Sequence, residues 1–163
     1  MIHLIVGNTG AGKTTYSNKL KQETNGVVFS IDNWNKTLFL QDKKDSDGLD
    51  WFLERIERAE NLMQTLILQL NESKTAVILD LGFSKIAHRE KFRQFAKKHQ
   101  LKIQLHFLDI AKEIRRKRIL QRNKEKGDTF EFLVTHQDFE FMENWFERPT
   151  AEELKNAVIS SLQ

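Results

Sequence analysis

The sequence predicts a three-layer α/β/α fold, with helices on both faces of a five-stranded parallel sheet. Two observations carry that expectation. Short apolar runs alternate with helical periods along the chain, and the first run ends in the glycine-rich stretch GNTGAGKT, directly before a helical pattern. Strands that alternate with helices close a parallel sheet through right-handed crossovers. Ligands then belong at the carboxyl ends of the strands. There is no internal repeat and no linker, so residues 1–163 read as one domain. A chain of this size buries about 70% of its unfolded surface.

The elements follow in order. Ile2 to Val6 is a short apolar run stopped by glycine, as a buried parallel strand would be. Lys13 to about Glu23 reads as a helix that Asn25-Gly26 ends, and Val27 to Ile31 as a second strand. Asn33 to Gly48 shows no clear period and is expected to be a loop with at most a short helix. From Asp50 to about Asn71, Phe52, Ile56, Ala59, Met63, Leu66 and Leu70 recur at helical spacing, with Asp50 as the expected N-cap. Ala76 to Leu81 is a third strand, Ser84 to about His99 a basic amphipathic helix, and Lys102 to Leu108 a fourth strand. An arginine-rich helix runs from Ala111 to Lys126 and stops at Gly127. Thr135-His-Gln-Asp138 has capping-box spacing ahead of an apolar stripe of Phe139, Met142 and Phe146. Ala157 to Ser160 is a candidate fifth strand.

Bulk properties exclude several classes. With 39% hydrophobic and 30% charged residues and a single proline, the chain is neither low-complexity nor disordered. It has no cysteine, which rules out disulfides and thiolate metal sites. MIHLIVGNTG lacks a charged n-region and a sustained apolar segment, so no secretory signal is expected. No apolar run approaches the roughly 18 residues that span a bilayer, and a cytoplasmic protein with no membrane partner is expected. The net charge is only +3, but Lys112 to Lys126 holds eight Lys/Arg against two Glu. Positive charge concentrated in one segment suits a phosphate-rich ligand better than a long polyanion.

Gly7, Gly12, Lys13 and Thr14 satisfy G-x-x-x-x-G-K-[ST], the P-loop pattern of nucleoside triphosphate binding. Each residue type has a reason. Glycines let backbone N–H groups approach the phosphates without a Cβ, and the start of the following helix adds its own attraction for anions. The whole loop, Gly7, Asn8, Thr9, Gly10, Ala11, Gly12, Lys13, Thr14 and Thr15, is therefore the expected nucleotide cradle. Lys13 reaches for the β- and γ-phosphates, and the Thr14 hydroxyl for magnesium.

Other residues are candidates for the chemistry. Asp32, in SIDNW after the second strand, stands where a carboxylate can take or orient the proton of an acceptor hydroxyl; a turn-capping role is the alternative. Asp80 closes the Walker-B-like strand VILD, and is a candidate for a magnesium-bound water or for a substrate group. The ATPase form of that motif continues with Glu, whereas this chain has Leu81 and then Gly82. Arg115, Arg118 and Arg122 share one helical face and are candidates to stabilise charge on the transferring phosphoryl group. Arg89 is a candidate clamp for an acidic substrate, with a plain surface role as the alternative. Trp34 is a candidate wall of the acceptor pocket, with a core role equally open. The histidines at 3, 88, 99, 106 and 136 show no metal-ligand spacing.

These residues together resemble the small P-loop kinase-like proteins of the AAA-type ATP-binding family, known as predicted kinases. The resemblance rests on GNTGAGKTT, SIDNW, DWFLERIER, VILDLGFS with Arg89, LDIAKEIRRKRILQRN and VTHQDFEFMENWFERP, and spans nearly the whole chain. More distantly the sequence is similar to polynucleotide kinases, chloramphenicol phosphotransferase, gluconate kinase and zeta toxins. The resemblance implies a P-loop NTPase core, a mobile arginine-bearing lid over about residues 111–128, and a base at the end of the second strand, Asp32. It places FERPT near the nucleotide base.

The expected function is thus ATP- and Mg2+-dependent transfer of the γ-phosphoryl group to a hydroxyl of a small molecule or a nucleic-acid end. Lys13, Asp32, Arg118 and Arg122 are the catalytic candidates. A nucleotide-binding regulator or slow ATPase is the alternative.

Overall fold

The computed structural model describes residues 1–126 and 133–161, and the expected helix stop at Gly127 lies outside them. Five strands form one sheet: β1 (Ile2–Val6), β2 (Val27–Ser30), β3 (Val77–Asp80), β4 (Ile103–Leu108) and β5 (Val158–Ser160). Their order is β2-β3-β1-β4-β5 and every pairing is parallel. Among the described residues seven helices connect and flank them: α1 (Lys13–Thr24), α2 (Ile31–Leu38), α3 (Leu49–Glu72), α4 (Ile86–Lys98), α5 (Lys112–Glu125), α6 (His136–Trp145) and α7 (Ala151–Leu154). Among the described residues no helix is long and apolar enough to cross a membrane.

The strands are apolar on both faces because both faces are covered. Ile2, Leu4, Val6, Phe29, Val77, Leu79, Leu105 and Phe107 point to one side, where Met63 and Ile67 of α3 and Phe92 and Ala96 of α4 meet them. The alternate residues Ile5, Ile78 and Leu108 point to the other, against Leu20 of α1 and the partly buried Ile114 of α5. That second layer also holds a polar chain. Tyr16 Oη lies 2.9 Å from His106 Nδ1, and His106 Nε2 lies 2.9 Å from His3 Nδ1. Burial, and then the neighbouring His3, pushes His106 down to about 4; burial first and the N-terminal charge second lower His3 as well.

The region from Asn33, expected to be a loop with at most a short helix, holds that helix as α2, which begins at Ile31, and a 3-10 turn at Leu40–Asp42 follows. Ser30 caps α2 by accepting a hydrogen bond from the Asn33 N–H at 3.4 Å. Ile31 and Trp34, one turn apart, pack on the core, with Trp34 5.5 Å from the Phe29 ring. Tertiary packing, rather than a long apolar period, makes this helix. One local expectation needs correction, that of Asp50. Gly48 stands at the N-cap of α3 without a side-chain bond, and Asp50 lies inside the first turn, where its charge favours the helix dipole.

Candidate active site

The cradle forms where β1 turns into α1. Gly10 and Gly12 have φ of 82° and 91°, a region that L side chains rarely enter. A Cβ on Gly10 would stand 2.7 Å from the Arg115 carbonyl oxygen, so the loop also needs glycine there to lie against α5. Gly12 caps α1 with no side-chain bond, which leaves the first N–H groups of the helix to a ligand. Thr9, Gly10, Gly12, Lys13, Thr14 and Thr15 line one wall of a cleft of about 260 Å3.

Asp32, Asp80, Arg118 and Arg122 line the same cleft. Asp32 sits in the first turn of α2 rather than at the tip of a strand. Asp80 ends β3 in register with Ser30 and accepts a hydrogen bond from Thr14 Oγ1 at 3.2 Å. Burial raises the Asp80 carboxyl, against the opposing pull of the Lys13 charge and the Thr14 bond. Arg118 and Arg122, four residues apart on α5, reach the same cleft, and Arg118 Nη1 lies 3.3 Å from the Ala11 carbonyl.

A second chamber of about 390 Å3 adjoins the first. The two share Thr9, Lys13, Asp32, Asp80 and Val134. Gly82 and Ser84 after β3, and Asp138, Phe141 and Met142 of α6, complete the wall of the second. Sequence reasoning missed that wall. Asp138 read only as a capping residue, and it does cap α6 through reciprocal bonds with Thr135. Phe141 stands off the buried stripe of its helix and is 56% exposed, the one signal that could have marked it.

Five expected site residues, Asn8, Ala11, Trp34, Arg89 and Arg115, lie elsewhere. Arg115 shares a helix with Arg118 but is buried behind the loop. Its Nη1 and Nη2 donate to Glu143 at 2.5 and 2.9 Å, its Nε to the Ile110 carbonyl at 2.9 Å, and Nη1 also to the Thr9 carbonyl at 3.2 Å. Glu143 accepts a further bond from Asn8 Nδ2 at 2.6 Å. The side chains of Arg115 and Asn8 therefore brace the cradle from behind instead of facing a phosphate. Ala11 is likewise buried, while Gly7 lines the second chamber.

Arg89 corrects the expectation of an acidic-substrate clamp. It is 0% exposed and pairs with Glu153 through Nε at 2.6 Å and Nη2 at 3.1 Å. Its Nη1 donates to the carbonyls of Phe83 and Glu147, both at 3.0 Å. That fixes the Gly82–Phe83 turn, where Phe83 holds a φ of 40°. Trp34 is packed on Phe29 and lines neither chamber. Arg148, in FERPT, pairs with Asp109 and covers the Phe107 ring at 4.9 Å. The histidines build no metal centre, and among the described residues no group of three or more His, Cys, Asp or Glu is arranged to hold an ion.

No curated protein matches the sequence. Solved structures similar in fold include Kti12 from Chaetomium thermophilum in complex with ADP-AlF3, with a TM-score of 0.72, 14% identity, and 99% of this chain and 89% of that one covered. The APS kinase CysC of Mycobacterium tuberculosis, in complex with AMPPNP and APS, has a TM-score of 0.66 and 17% identity, over 98% and 87% of the two chains. A gluconokinase from Sinorhizobium meliloti 1021 has a TM-score of 0.61 and 14% identity, over 98% and 81%. At these identities the likeness is one of fold alone. A family model described as AAA domain matches residues 2–149, and the chain belongs to that family.

Proposed function

We propose that the chain is an ATP- and magnesium-dependent phosphotransferase that moves the γ-phosphoryl group to a hydroxyl of a small molecule or a nucleic-acid end. One observation carries the reading. Lys13, Thr14, Asp32 and Asp80 face one cleft, and that cleft opens into a second chamber beside the same two carboxylates. A nucleotide-only site would not need the second space.

In this reading the loop amides and Lys13 hold the triphosphate. Thr14 Oγ1 and the Asp80 carboxylate supply hard oxygen donors, which suit magnesium. Magnesium held by these two groups would supply charge neutralisation for the phosphates. The acceptor oxygen attacks the γ-phosphorus, the bond to the bridging oxygen breaks, and ADP leaves. Asp32 accepts the hydroxyl proton. Arg118 and Arg122 balance charge on the transferring group, and α5 with the residues following it to about 128 acts as the lid of a single domain. Residues 127 and 128 lie outside the described chain.

Leu81, buried at the position after Asp80, offers nothing to polarise an attacking water, which supports transfer over hydrolysis. The test is to incubate the protein with Mg2+, γ-labelled ATP and a panel of hydroxyl acceptors. Label on an acceptor is expected. Label found only as free phosphate would replace this reading with that of a slow ATPase or a nucleotide-dependent regulator.

A further inference from the structure

The chamber beside the cradle has a chemistry of its own. Resting on the phosphotransfer reading, we infer that the acceptor is a cationic alcohol, a compound carrying a protonated amine and a ring or apolar portion beside the hydroxyl that is phosphorylated. The cavity fixes where the acceptor sits, since it shares Asp32 and Asp80 with the phosphate cleft. Its lining fixes what the acceptor is.

Three carboxylates, Asp32, Asp80 and Asp138, face the chamber. Among its described lining residues Lys13 is the one basic side chain, and its ammonium belongs to the phosphates. A bound triphosphate with its magnesium brings further net negative charge. The Asp138 carboxyl stays ionised near neutrality, because the hydroxyl and then the backbone N–H of Thr135 bond to it and lower it. An anionic acceptor would meet like charge from Asp32, Asp138 and the bound triphosphate, and such juxtaposition rejects wrong partners.

The groove that continues from Gly82 and Ser84 toward Trp145 offers no relief to an anion. Lys85 lies 3.2 Å from Glu147 and 4.1 Å from the centre of the Trp145 ring. His88 and Lys91 both bind the buried Glu60, at 2.6 and 2.8 Å. Arg89 is locked inside the fold, as described above. Each basic group along this path is tied to a carboxylate.

The apolar side of the chamber complements an organic cation. Val134, Phe141 and Met142 form it, and the Phe141 ring stacks on Trp145 with centroids 5.7 Å apart and planes at 20°. An exposed aromatic face attracts cations and shelters a ring. In the reaction the acceptor hydroxyl gives its proton to Asp32 and takes the phosphoryl group, while the ammonium keeps its charge near Asp138.

Four probes test this with Mg2+ and γ-labelled ATP on the full chain: phenylalaninol, its neutral N-acetyl derivative, the anionic 3-phenyllactate, and an oligonucleotide with a 5′-hydroxyl. Phenylalaninol should exceed the N-acetyl probe about 10-fold in kcat/KM and phenyllactate about 100-fold. Asp138→Asn retains an oxygen for the Thr135 cap. It should raise KM for phenylalaninol about 10-fold, more than for the N-acetyl probe, with the effect in KM rather than kcat. Equal or better transfer to the N-acetyl, anionic or oligonucleotide probe overturns the acceptor class and leaves phosphotransfer standing, as does a KM that Asp138→Asn does not move. Label that stays on ATP, or appears only as free phosphate with every probe, overturns the phosphotransfer reading and this class with it.

Discussion

The phosphate cradle is made from one short stretch of backbone, whereas the chamber beside it is made from side chains on separate segments. Gly7 to Thr15 builds nearly all of the first by turning at Gly10 and Gly12 into the start of α1. The second draws on α2, the Gly82–Ser84 turn and α6. Backbone N–H groups bind any triphosphate alike and tolerate little change. Side chains set a preference and can be exchanged singly without disturbing the cradle. Under the proposed function, holding the donor and choosing the acceptor fall largely to different parts of the molecule, which meet at the shared Lys13, Asp32 and Asp80.

The largest expected effect is on the cradle side. Lys13→Ala should reduce nucleotide turnover to background, a loss of about 10^3-fold by the measure of single charge-stabilising groups, with thermal unfolding little altered. Asp32→Asn should cut transfer to acceptor by roughly 10^2–10^4-fold while ATP affinity, followed by fluorescent-nucleotide displacement, stays within a few-fold. Unchanged transfer would remove Asp32 from the role of base and blur the division between the two halves.

The arginines sharpen the division in terms of stability. Arg89→Met leaves Glu153 buried without its partner, which costs about 3–5 kcal/mol, read as a fall in denaturation midpoint. The double replacement Arg89→Met with Glu153→Met should recover most of it. Arg118→Ala, at the cleft, should stay within about 1 kcal/mol of the parent and instead weaken ATP binding. Matching losses of stability in the two variants would show that the cleft arginine is also structural.

The last effect involves neither half directly. His106 and His3 are held below their ordinary 6.5 in the fold, so the unfolded chain binds their protons first. Stability from His106 is full above pH 6.5, declines as pH falls toward 4, and levels off below that, and His3 adds in the same direction. The loss from His106 alone is about 3 kcal/mol, and urea titrations from pH 7 to 4 measure it. His106→Gln should flatten that window. An unchanged slope would place the acid sensitivity in other groups.

How much of this was legible in the sequence follows the same divide. GNTGAGKT is contiguous, so its chemistry and its place between strand and helix are visible together. The short apolar runs alternating with helical periods made the sheet visible too. Arg89 and Arg115 were misread because the partner that decides the fate of a guanidinium is remote. Glu153 lies 64 residues from Arg89 and Glu143 lies 28 from Arg115. The chamber stayed hidden for a related reason. Phe141 and Met142 look like ordinary parts of an apolar helix, and only the fold shows that Phe139 is buried while Phe141 faces open space. Helix α2 had no readable bounds because its few apolar residues acquire a period only once Phe29 is beneath Trp34.

One helix has a further mechanical meaning. On its inner side α6 presents Glu143, which grips Asn8 and, through Arg115, the Thr9 carbonyl. Just before it, Asp138, Phe141 and Met142 of the same helix wall the second chamber. One helix thus forms a party wall between the two rooms, holding the back of the phosphate loop with one side and lining the second chamber with the other.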